Sequence, residues 1–189
     1  MKIRKNSSGF TLIEVIVVAG LMVFIASVLI RNFSGSRFNF DNVAYQVQAD
    51  LRLAESHSQG FIKYNNTFRC GYGLTWINNT TYAIYTGRNA TTSNCSSSNY
   101  SYSSAATTPR IKLSPVDARV DILSFTDVFF LPPDPRIYYG TSLIQATSTS
   151  LITLRKKTST SCSTNNDCRF VCIYPSGRIE VYKSSSLCI

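Results

Sequence analysis

Apolar positions along the chain fall into three regimes. From Phe10 to Ile30 they run almost unbroken, and only Thr11, Glu14 and Ser27 are clearly polar. At about 1.5 Å per residue such a run makes a helix roughly 30 Å long, enough to span the hydrocarbon core of a bilayer. Farther on, Phe40, Val43/Ala44, Val47, Leu51 and Ala54 recur every three to four residues and make one stripe on a helix, with Asp50, Arg52 and Glu55 outside it. Gly35 and nearby serines loosen the junction between the two stretches, and Gly60 supplies a stop. The spacing predicts one long helix, or two nearly collinear ones, from about Phe10 to Gln59.

After Gly60 the period shortens. Runs rich in β-branched and aromatic residues predict strands over 61–64, 71–77, 82–85, 110–113, 119–125, 128–131, 151–154, 170–174 and 178–182. Pro132, Pro133 and Pro135 break any strand between them, and Pro175-Ser176-Gly177 closes the last two runs as a hairpin. The stretches 89–108 and 158–167, dominated by Ser, Thr and Asn, read as exposed loops. The predicted class is α+β: a long N-terminal helix, transmembrane in its first half and amphipathic in its second, packed on an antiparallel β-sheet head.

Charge then orients the chain. Lys2, Arg4 and Lys5 precede the apolar run and Arg31 follows it. The positive-inside bias keeps the short N-terminal segment in the cytoplasm and places the bulk of the chain outside. The formal charge of +9 falls to +6 once those three cations are subtracted (9 − 3), still enough to favour anionic partners. An ordinary signal peptide is a poor alternative, because Ala19-Gly20 and Ala26-Ser27 offer weak cleavage sites. Glu14 also argues against it: a carboxylate at lipid depth costs about 3 kcal/mol on insertion scales and marks function. A plain single-pass anchor with an incidental Glu is the bland alternative.

The residues Gly9-Phe10-Thr11-Leu12-Ile13-Glu14-Val15 resemble the prepilin N-terminal cleavage and methylation motif of type IV pilins and type II secretion pseudopilins. The resemblance implies a pilin-like fold, cleavage between Gly9 and Phe10 by a prepilin peptidase, N-methylation of Phe10, and an assembly role for Glu14. It divides the chain into a leader (1–9), a transmembrane and assembly helix (10–30), an amphipathic helix (31–59) and a β-rich extracytoplasmic head (60–189). It places the protein in the inner membrane as a single pass and then in a pilus or pseudopilus, with other pilin or pseudopilin subunits as partners. The helix segment Gln48 to Ser56 and the end Arg169 to Val181 look more loosely like the GspH/FimT group of minor pseudopilins.

Some members of that group bind DNA through arginines near this C-terminal turn. Here Arg178, Lys183, Arg155, Lys156, Lys157 and Arg169 are candidates for phosphate contacts, with Tyr174 and Tyr182 for stacking. Glu180 stands where a second basic residue would help, and a solvated basic surface is the simpler expectation.

Six cysteines, at 70, 95, 162, 168, 172 and 188, suggest disulfides in an exported domain rather than zinc, since His57 is distant and no Cys-x-x-Cys pair occurs. Of the possible pairings, local closure favours Cys162 with Cys168, Cys172 with Cys188, and Cys70 with Cys95. No cofactor, metal site or catalytic residue is nominated. The one histidine has no nucleophile and acid in facing positions, so a membrane-anchored enzyme is the weakest of the functional readings.

Overall fold

The computed structural model describes residues 11–33, 40–91, 95, 100–103, 107–133, 136–145, 149–162 and 166–188. Helix α1 spans Leu12–Phe33 and helix α2 spans Phe40–Gln59. Gly35 and the rest of the junction, 34–39, lie outside the described residues. The chain divides into two compact units, Met1–Phe38 and Asn39–Ile189, so α2 belongs with the strands.

Among the described residues of the second unit ten strands, all paired antiparallel, form two sheets. They are β1 (Tyr72–Asn78), β2 (Thr81–Thr86), β3 (Arg110–Pro115), β4 (Val120–Ile122), β5 (Val128–Leu131), β6 (Arg136–Tyr139), β7 (Ser142–Leu143), β8 (Ser150–Lys156), β9 (Cys168–Ile173) and β10 (Ile179–Tyr182). The larger sheet runs β3-β2-β1-β5-β6-β7 and the smaller β10-β9-β8-β4.

Helix α2 is the element the two sheets share, packing on β1, β2 and β5 of one and on β9 and β10 of the other. Its stripe of Phe40, Val43, Ala44, Val47, Leu51 and Ala54 is buried as the spacing demands. A side chain such as Leu51, fully removed from water, contributes about 1.5 to 3 kcal/mol. The helix ends where Gly60 N–H donates to the Ser56 carbonyl (2.9 Å) and Phe61 turns left-handed (φ 47°). On β9 the alternation sends Cys168, Phe170 and Cys172 to one side, against Leu151, Tyr182 and Cys188. Arg169, Val171 and Ile173 therefore share the other face. The final hairpin closes as Gly177 N–H donates to the Tyr174 carbonyl (3.0 Å), with Ile173 opposite Ile179.

Several expectations are corrected. Residues 61–64 form no strand, because the left-handed Phe61 cannot continue a pleat and only a Tyr64–Thr67 bridge forms. The strand expected over 119–125 shrinks to Val120–Ile122, since Arg119 is held in a turn by Asp117. Strands β6 and β7 follow the proline cluster unannounced. Within the polar stretch 89–108, Tyr100 is buried, stacked on Phe129 at 5.1 Å between ring centres. Asp50, assigned to the outer face of α2, is buried at 4% exposure.

Among the described residues no helix is long and apolar enough to cross a membrane.

Candidate functional site

Helix α1 starts directly after Thr11, whose carbonyl accepts from the N–H groups of Glu14 (3.0 Å) and Val15 (3.3 Å). Glu14 thus stands in the first turn, where unsatisfied N–H groups and the helix dipole favour a negative charge. It lines a shallow open groove with Val15, Val18 and Ala19, all on one side of the helix. Every large apolar side chain from Leu12 to Ile25 is between 50% and 78% exposed. Glu14 enters no ion pair among the described residues. The bond between Gly9 and Phe10, and Phe10 as the methylation site, lie outside the described residues.

In the second unit the charged groups are gathered into ties rather than presented as a site. Asp50 accepts from Lys112 Nζ (2.7 Å), Ser114 Oγ (2.7 Å) and the Tyr82 hydroxyl (2.8 Å), so three donors from β2 and β3 satisfy one buried carboxylate. Burial and the Asp50 charge both push the Tyr82 phenol up, which keeps it a donor. Arg169 crosses from β9 to Asp41 in the first turn of α2, and its hydrogen bond holds the Asp41 carboxyl below the ordinary carboxylate range. Gln48 Nε2 (2.6 Å) and Arg52 (3.3 Å) both donate to the Ile179 carbonyl on β10. Ser58 Oγ donates to the Phe130 carbonyl on β5 at 2.8 Å.

The six candidates for phosphate contact do not make one free patch. Arg155 lies 3.6 Å from Asp121 and donates to the Thr160 carbonyl (3.0 Å), while Arg169 is buried on Asp41. Lys156, Lys157 and Lys183 stand at that same end of the smaller sheet, where β8 and β9 pair Arg155 with Cys168. Arg178 is at the other end of β9, about 17 Å away by strand rise. There it lies over the Tyr174 ring at 4.0 Å and 3.7 Å from Glu180, and Tyr182 donates its hydroxyl to Glu180. Tyr174 is buried under Arg178, and Tyr182 stands opposite Phe170, away from the turn.

The structure joins Cys70 to Cys95, Cys162 to Cys168 and Cys172 to Cys188, with Cα separations of 5.3, 5.3 and 5.6 Å. These distances lie within the ordinary range for the bond. His57 packs edge-on against Tyr72 at 5.4 Å, a core contact.

Residues 4–30 match the family model of the prokaryotic N-terminal methylation motif. The match supports a type IV pilin-like protein. No curated protein and no solved structure matches the chain. The motif of this pilin-like chain points to a structural subunit, implies processing by a prepilin peptidase and assembly with other pilins, and indicates membrane anchoring followed by association with a pilus. Its apolar, Glu-bearing helix carries that assignment, while in the second unit Asp41, Asp50, Asp117 and Asp121 are each tied to a cation of the same unit.

Asp50 is the residue that sequence reasoning misplaced. Its signal was present: Val43, Val47, Asp50 and Ala54 step by four, three and four, so the carboxylate lies on the buried stripe.

Proposed function

We propose that this chain is a minor pilin or pseudopilin, a structural subunit of a type IV pilus or a type II secretion pseudopilus. The observation that carries the reading is Glu14 in the first turn of an otherwise apolar and exposed helix, inside the matched motif. Cleavage between Gly9 and Phe10 creates an α-amine on Phe10, which is then methylated. Before assembly, residues 10–30 hold the subunit in the inner membrane as a single pass, with the head outside. The basic flank of Lys2, Arg4 and Lys5 and the continuation of the apolar run to Ile30 support that placement.

In the filament the Glu14 carboxylate pairs with the Phe10 amine of the same or a neighbouring subunit. Each group alone would bear a large desolvation cost in lipid, and together they offset it while fixing the axial register between subunits. Mass spectrometry of the mature protein tests the first step, and a chain beginning with methylated Phe10 is expected. A mature chain still beginning at Met1 in cells that possess the peptidase would overturn the reading. Glu14→Ala should be inserted and cut normally yet be absent from sheared filaments. Wild-type incorporation of that variant would remove the role given to the carboxylate.

A further inference from the structure

Between Glu55 and Asp117 the chain contains no acidic residue, yet it carries Lys63, Arg69, Arg88, Arg110 and Lys112. Two of these are committed, Lys112 to Asp50 and Arg110 to the hydroxyl of Tyr102. The other three gather where the chain leaves α2. Lys63 Nζ stands 4.6 Å from the centre of the Phe68 ring, the Arg69 guanidinium 5.4 Å from that of Tyr64, and a bridge between Arg69 and Asn89 brings Arg88 alongside. Among the described residues no carboxylate forms an ion pair with any of the three.

The same segment holds apolar side chains out into water. Phe61, Ile62 and Phe68 are 50%, 44% and 43% exposed. Phe61 does so from a left-handed backbone (φ 47°), a conformation that bulky residues rarely adopt, and Asn65 and Asn66 (φ 48° and 60°) make the tight turn that follows. Exposed apolar groups ringed by uncompensated cations are the surface chemistry of interfacial lipid binding: apolar groups enter the headgroup boundary and cations meet phosphates.

We propose that the loop after α2, residues 61–69 with Arg88, docks on an anionic phospholipid bilayer through Phe61, Ile62 and Phe68, with Lys63, Arg69 and Arg88 on the headgroup phosphates. A single-stranded nucleic acid fits less well. Base stacking needs open ring faces, and Lys63 and Arg69 already lie over Phe68 and Tyr64, while Ile62 has no ring. A second copy of this chain fits less well too, because a basic patch needs an acidic answer, whereas residues 39–189 hold fourteen Lys and Arg against nine Asp and Glu, and five of those acids, Asp41, Asp50, Asp117, Asp121 and Glu180, are already engaged by a cation.

The test does not depend on processing or polymerisation, so its outcome is separate from that of the filament reading. The full chain, with its apolar helix covered by nonionic amphipol, is passed over immobilised nanodiscs of phosphatidylcholine alone or with 30% phosphatidylglycerol. Binding to the anionic discs should exceed that to the neutral discs at least tenfold and weaken as salt rises. F61S/I62S/F68S and, separately, K63E/R88E should each lose it at least tenfold with unchanged melting, whereas Leu143→Ser, at an exposed apolar position on β7, should not. Equal binding to both kinds of disc, retention by either multiple variant, or equal loss in Leu143→Ser would overturn the proposal. So would tighter binding to oligo-dT than to anionic discs, or loss of self-association in F61S/I62S/F68S or K63E/R88E with lipid binding intact.

Discussion

Helices α1 and α2 are nearly equal in length, 22 and 20 residues, yet they meet the problem of burial in opposite ways. On α1 the apolar side chains from Leu12 to Ile25 stay mostly exposed, an area far beyond what a soluble chain leaves uncovered. On α2 the apolar stripe is buried against two sheets, and its polar residues reach strand carbonyls and side chains. One helix is covered by strands of its own unit, and the other leaves its apolar side chains exposed. The match to the methylation motif, residues 4–30, takes in α1 from its start to Ile30 and no residue of α2.

The sharpest way to break this contrast is to remove α1. A chain beginning at Asn39 should stay in the aqueous phase of a detergent phase separation, while the full chain moves to the detergent phase. Equal partitioning of both would mean that the head also requires an apolar surround. Next in size is Asp50→Ala, which leaves Lys112, Tyr82 and Ser114 without their acceptor. Lys112 is half-exposed and can hydrate, but the buried hydroxyls of Tyr82 and Ser114 are left unsatisfied, at about 1 to 3 kcal/mol, read as a lower urea midpoint at unchanged slope. A shift below about 1 kcal/mol would show that α2 does not depend on that node.

Gly177→Ala should cost about 1 to 2 kcal/mol, since the turn needs φ +83° and a Cβ there would stand 2.8 Å from Glu55 Oε1. The smallest expected effect is pH-dependent. Asp41, its pKa depressed chiefly by the Arg169 hydrogen bond, contributes stability that is present above the ordinary carboxylate value and lost as pH falls through its lower folded value. Glu55 and Asp127, both raised by desolvation, act with the opposite sign: their cost at neutral pH is relieved as pH falls through their raised values. Asp41→Asn should therefore flatten the loss of stability below about pH 4 seen in denaturant titrations. An unchanged acid limb would place that loss on other carboxylates.

The stripe on α2 was legible because Val43, Val47, Leu51 and Ala54 keep helical spacing whatever they pack against. The spacing also put Asp50 on that stripe, but the partners that make its burial possible were not legible. A buried carboxylate makes sense only when Tyr82, Lys112 and Ser114 converge on it from strands far along the chain. The hairpin at Pro175-Ser176-Gly177 was legible from turn chemistry, and β5 from its run of Val128 to Leu131. The segment 61–64 misled because its aromatic and aliphatic residues are β-prone, while the left-handed Phe61 follows from how α2 ends. Tyr100 was hidden by composition: one aromatic among serines and asparagines leaves the average polar, yet its ring lies on Phe129. At the motif, Gly9 to Val15 was legible without any fold, since residue types at fixed spacing carry it.

The ties along α2 also bear on traction. Asp41 is held at the start of the helix, Gln48, Asp50 and Arg52 at its middle, and Ser58 at its end, to four different strands of two sheets and Lys112 on a fifth. A tug along the helix axis loads these grips in shear and together, where a tug from the side would peel them one after another. Sliding by one turn, about 5.4 Å, would strand every one of them at once. Strain arriving through the N-terminal end of α2 is therefore shared between both sheets.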